Sequence, residues 1–132
     1  MITGVHHITL LVHDLEKAVS QWRQQLAVEE VFFDELPGRG VKTARFKAGD
    51  VWLVLVQPVA EGEPRRVLEE RGEGLFLLSL GVDSLQAATD QVVLGGGAMT
   101  ANEPRSGLEN WLVNDVSPDT LSGALVQLCE EQ

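Results

Sequence analysis

The chain has 132 residues, 44% of them hydrophobic and 23% charged, with 13 Gly and 5 Pro; this is the length of one ordinary domain, with a composition neither disordered nor collagen-like. No apolar stretch approaches the roughly 20 residues of a membrane span, and Met1 to Thr9 lack the basic flank and apolar segment of a secretory signal, so a soluble, cytoplasmic protein with no membrane partner is expected. A net charge of −10 repels nucleic acid and leaves a small molecule as the expected partner, while the lone Cys129 excludes an internal disulfide.

Val5 to Val12 is rich in β-branched and long apolar residues and predicts a strand buried on both faces. Asp14 reads as a helix N-cap, and behind it Leu15, Ala18, Val19, Trp22 and Leu26 form one helical stripe that should pack on a sheet. Glu30 to Phe33 predicts a short strand and Pro37-Gly38-Arg39-Gly40 a turn. Val41 to Lys47 and Val51 to Gln57 follow as strands joined at Ala48-Gly49-Asp50. Pro64 to Arg71 predicts a connecting helix, ended by Gly72.

The order then repeats. Leu75 to Val82 reads as a strand, and Leu85, Ala88 and Val92 give a second helical stripe starting behind Asp83 or Ser84 and stopped at Gly95-Gly96-Gly97. Strands are expected at Trp111 to Val113 and Ala124 to Leu128, with a short one at Ala98 to Ala101. An offset of 70 residues pairs Leu10 with Leu80, Val12 with Val82, Leu15 with Leu85 and Ala18 with Ala88. The chain therefore reads as a tandem βαβββ duplication within one domain: a first module over about 1–60, a linker helix over about 61–73 and a second module over about 74–132.

The segments Val5-His6-His7-Ile8-Thr9, His13-Asp14-Leu15-Glu16-Lys17-Ala18, Val41-Lys42-Thr43-Ala44 through Gln57-Pro58, Leu68 to Leu75, and Ser122 to Leu128 resemble the vicinal oxygen chelate superfamily. The likeness is to its methylmalonyl-CoA epimerase, glyoxalase and bleomycin-resistance-like branches. It implies an α+β fold in which tandem βαβββ modules form a curled mixed sheet around a cavity, and it implies a homodimer. In such proteins four side chains hold a divalent cation that polarises vicinal oxygens of the substrate. Carried over one at a time, the four positions fall on His7, Val54, Leu77 and Gln127, the last where the family usually has Glu.

Val54 and Leu77 have no lone pairs to offer. A one-residue slip in the alignment meets only Leu53, Leu55, Phe76 or Leu78, and a two-residue slip, which preserves strand face, adds only Ser79 as a weak donor. No metal and no other cofactor is therefore expected. The same replacements remove the usual acid and base of epimerase and glyoxalase chemistry, since His7 supplies at most one of the groups that proton abstraction beside a carbonyl requires.

His7 and His13 share strand parity, but six extended residues span about 20 Å, too far for one ion. His13 is expected as an exposed neighbour of the helix cap, and His6 pointing outward against the helices. Cys129 reads as a half-buried, inert thiol. Trp22 belongs to the core; Trp52 and Trp111 either line the cavity or pack beneath helices. Gly38-x-Gly40 and the Gly95 triplet lack the context of a phosphate loop. The leading reading is a metal-free small-molecule-binding protein whose ligand meets His7, Trp52, Val54, Leu77 and Gln127, with Arg45 available for orientation. The alternative is an isomerase or lyase of the epimerase or glyoxalase type acting on an acyl or thioester-like substrate, with catalytic residues unassigned; a third is an assembly partner whose cavity has collapsed.

Overall fold

The computed structural model describes residues 1–132. Its elements run β1 (Ile2–Leu11), α1 (Leu15–Leu26), β2 (Phe32–Leu36), a 3-10 turn (Pro37–Arg39), β3 (Val41–Ala48), β4 (Val51–Pro58), α2 (Glu63–Arg71), β5 (Gly74–Val82), α3 (Leu85–Leu94), β6 (Arg105–Ser106), β7 (Trp111–Val116), a second 3-10 turn (Pro118–Thr120) and β8 (Val126–Glu131). No helix is long and apolar enough to cross a membrane. The chain forms two compact units, a middle one of residues 8–76 and a terminal one made of residues 1–7 and 77–132.

In the middle unit the strand order is β2-β3-β4-β1. β3 pairs antiparallel with both neighbours, Phe33 opposite Ala44 and Arg45 opposite Val54. Asp14 caps α1 as expected, its side chain accepting from the Lys17 N–H at 3.1 Å. Leu15, Ala18 and Val19 bury against Val12, Ala44, Phe46 and Leu55, and Trp22 meets Phe46 with ring centroids 5.3 Å apart. Trp22 is thus partly buried at the edge of the core, while Leu26, the last member of the stripe, is exposed.

In the terminal unit the order is β1-β5-β8-β7-β6. β5 and β8 run parallel, with Ser79 opposite Gln127 and Gly81 opposite Cys129; β8 and β7 are antiparallel, with Asp115 opposite Gln127. Ser84 caps α3, accepting from the Ala87 N–H at 3.1 Å, and Leu85 and Ala88 pack on Val82, Val116 and Leu128. The repeat extends to the helix starts. In one unit the Leu15 N–H donates to Gln57 Oε1 at 2.9 Å, and in the other the Leu85 N–H donates to Glu130 Oε1 at 2.8 Å. Each satisfies a backbone donor that a helix terminus leaves without an intrahelical partner.

Several strand expectations need correction: the one expected at Glu30 to Phe33 lies at Phe32–Leu36, and the one at Trp111 to Val113 runs on to Val116. Ala98 to Ala101 is not a strand: Met99 makes a single bridge to Val116, and the short strand is Arg105–Ser106, paired with Leu112 and Val113. β8 begins at Val126 and runs to Glu131, because its partner residues Trp111 and Leu112 of β7 extend the ladder to Glu131 and Glu130.

Candidate functional site

The polar residues of the terminal unit converge where β1, β5, β8 and β7 lie side by side. Alternation along β1 buries His7, which is 5% exposed. Ser79 and Gln127, opposite each other on the parallel pair β5/β8, are also buried. The Ser79 hydroxyl donates to Gln127 Oε1 at 2.9 Å, and Gln127 Nε2 donates to Asp115 Oδ1 at 3.4 Å. Arg105 in turn donates to Asp115 Oδ2 at 2.8 Å. His7 hydrogen-bonds the Gln127 side chain, yet burial, reinforced by neighbouring His6, pushes its pKa down to about 3. The imidazole is therefore neutral at physiological pH.

His6 does not point outward. Its ring meets the Trp111 indole edge-on at 4.6 Å, while the His7 ring stacks on the same indole at 4.6 Å with 19° between planes. The two Nδ1 atoms lie 2.8 Å apart, and His6 Nε2 lies 2.6 Å from Glu131 Oε1. Cys129 is fully buried beside them. Burial first, then the charge of Glu131, pushes its thiol up to about 12, so it is inert as a nucleophile.

Trp52 belongs to the middle unit. The Arg45 guanidinium lies 5.0 Å and the Lys47 ammonium 4.6 Å from its ring centroid. Phe32 meets it edge-on at 6.0 Å. Arg45 is buried and ion-paired with Asp34. Trp52 lines a cleft of about 690 Å³ shared with Trp22, Phe32, Phe46, Lys47 and Leu53. Val54 is buried on β4, and Leu77 is partly buried on β5. Thus His7 and Gln127 touch in the terminal unit, Trp52 fronts a cleft in the middle unit, Val54 is enclosed within the middle unit, and Leu77 is only partly covered in the terminal one. Sequence reasoning left Trp111 open between cavity and core, read Cys129 as half-buried where it is fully buried, and passed over Asp115 and Glu131. The one signal for two of these was the alternation Gln127, Cys129, Glu131 along one face of β8.

A family model for the glyoxalase/bleomycin resistance protein/dioxygenase superfamily matches residues 6–114. The chain belongs to this superfamily. It is 31% identical over 129 residues to the protein YqjC of Bacillus subtilis, covering 94% of this chain and 89% of that one. It is 28% identical over 131 residues to an ethylmalonyl-CoA/methylmalonyl-CoA epimerase of Cereibacter sphaeroides, covering 97% and 98%. A solved methylmalonyl-CoA epimerase in complex with methylmalonyl-CoA and NH4+ superposes with a TM-score of 0.93 at 24% identity, covering 99% of this chain and 96% of that one. The fold is accordingly the glyoxalase-like α+β fold, with tandem βαβββ modules in a mixed sheet.

The superfamily's divalent cation does not fit the residues at its four positions. Val54 and Leu77 carry no donor atom. Gln127 is neutral, so it cannot offset the cation's desolvation, and its amide is already bonded to Ser79 and Asp115. His7 alone is a strong donor.

Proposed function

We propose that the chain binds a small hydrophobic or acyl-bearing molecule without using the superfamily's divalent cation. The observation that supports this most strongly is the donor set: two aliphatic side chains, and a glutamine whose oxygen and nitrogen both have protein partners. In the middle unit the cleft offers an aromatic face from Trp52 and apolar contact from Phe46 and Leu53; in the terminal unit Leu77 offers apolar contact and His7 a neutral imidazole. Apolar, aromatic-edged surface of this kind suits an uncharged acyl or alkyl group. We take the protein to act in the cytoplasm, and to do so as a homodimer, the latter as the family resemblance implies.

Thermal-shift and calorimetric titration with acyl-CoAs, glutathione adducts and cationic drugs, all in the presence of chelator, tests the reading. A ligand at 100 times its Kd should add about 2.7 kcal/mol of stability. No stabilisation by any of these classes, or stabilisation only after a divalent cation is added, would overturn it. The likeness to the Cereibacter epimerase over nearly the full length of both chains favours a second reading, an isomerase acting on a CoA thioester. That reading requires a proton-transferring pair, and neutral His7 is one group, not two.

A further inference from the structure

The terminal unit carries a cluster of which the ligand-binding proposal uses only His7. Neighbouring strand residues normally point to opposite faces, yet the rings of His6 and His7 both rest on Trp111. Cys129 lies with them, and one potential ligand atom from each of the three residues falls within 4.8 Å of the others. Gly81 stands opposite Cys129 on β5. A Cβ there would come within 2.8 Å of Thr3 Oγ1 and 3.9 Å of His6 Cβ.

We propose that His6, His7 and Cys129 form a binding site for a borderline-soft transition-metal ion, zinc being the type case. It shares only His7 with the superfamily's four positions. A thiolate and two imidazoles are the ligand types zinc selects, and magnesium and calcium do not. The neighbours of the site favour this chemistry. Glu131 holds His6 Nε2, the arrangement in which a carboxylate fixes an imidazole's tautomer and leaves its other nitrogen as the lone pair for a metal. That other nitrogen, Nδ1, is the one facing His7. Ligand atoms around zinc stand about 3.3 Å apart, so the two Nδ1 atoms need part by only about half an ångström, a small ring rotation.

On binding, the Cys129 thiol gives up its proton and the cation's charge takes over the stabilisation of the buried sulfur. Three protein ligands leave a fourth position. Access runs along His6, whose side chain is 12% exposed, and Glu131, at 56%. The inference goes beyond the ligand-binding proposal and does not rest on it.

The test uses untagged, chelator-stripped full-length protein titrated with zinc and, separately, with cobalt. One equivalent should bind per chain, zinc should raise the melting temperature, and cobalt should give a near-ultraviolet thiolate-to-cobalt charge-transfer band. Cys129→Ser should abolish the band and weaken zinc at least 100-fold. His6→Gln, at a partly exposed residue, should leave the melting temperature in chelator near wild type and weaken zinc 10- to 100-fold, which keeps the test alive if Cys129→Ser fails to fold. Absence of the cobalt band at one equivalent, or zinc affinity unchanged in His6→Gln, would overturn the proposal and leave an adventitious surface ion only.

Discussion

Replacing Gln127 by Glu restores the residue usual at the fourth superfamily position and should destabilise this protein. The site is 5% exposed, and Gln127 Nε2 donates to Asp115 Oδ1 at 3.4 Å. In Gln127→Glu that donor becomes an acceptor, and two carboxylates face each other with only Arg105, already on Asp115 at 2.8 Å, to offset them. A lost buried hydrogen bond together with a like-charge contact costs about 3 kcal/mol near neutral pH, or about 10 °C in Tm for a chain of this length. The sign with pH follows from burial: a carboxyl forced into this site holds its proton more tightly than in the unfolded chain, so the penalty grows as pH rises above the usual Glu range and shrinks in acid. Urea unfolding of both proteins across pH 4 to 8, with and without magnesium, reads this directly. Equal stability at pH 7 would refute the charge and hydrogen-bond reasoning, and a magnesium-dependent rise in the variant's Tm would mean that one carboxylate suffices to rebuild the cation site.

Other outcomes follow from the packing and the titration of buried groups. His7 titrates at about 3 when folded against 6.5 in an unperturbed chain, so its contribution is fully present above about pH 6.5 and is lost as pH falls toward 3. In chelator, His7→Asn should therefore show a shallower acid decline than wild type, by about 4 kcal/mol over the full window; parallel pH profiles would contradict this. Trp111→Ala removes the indole on which both His rings rest and should cost about 3–5 kcal/mol in chemical denaturation, with Trp111→Phe recovering part of the loss. Leu15→Ala, in the core beneath α1, should cost about 2–5 kcal/mol by the same assay.

The elements legible in the sequence are those with a local cause. The α1 stripe and its Asp14 cap, the α3 stripe behind Ser84, and β3 and β4 around Gly49 follow from periodicity and cap chemistry that neighbouring residues carry alone. Arg105–Ser106 is too short to show a period, and its pairing with β7 exists only because the chain between them turns back, the Gly107 N–H bonding the Trp111 carbonyl at 2.8 Å. The replaced cation positions were readable residue by residue, since a valine or leucine has no donor wherever it stands. The partners of Gln127 were not, because Ser79 and Asp115 reach it through strand register. Likewise nothing near His6 in the sequence announces Cys129: the two meet through β5, and alternation, the rule that served elsewhere, sends His6 to the wrong face.

We propose that this superfamily member does not catalyse proton exchange on a CoA thioester with or without a divalent cation. Incubating the protein with methylmalonyl-CoA in D2O and following the α-proton by NMR, with magnesium, manganese or cobalt supplied in turn, measures it most directly. Exchange at the uncatalysed rate under every condition is the predicted result; exchange that scales with protein concentration would contradict it.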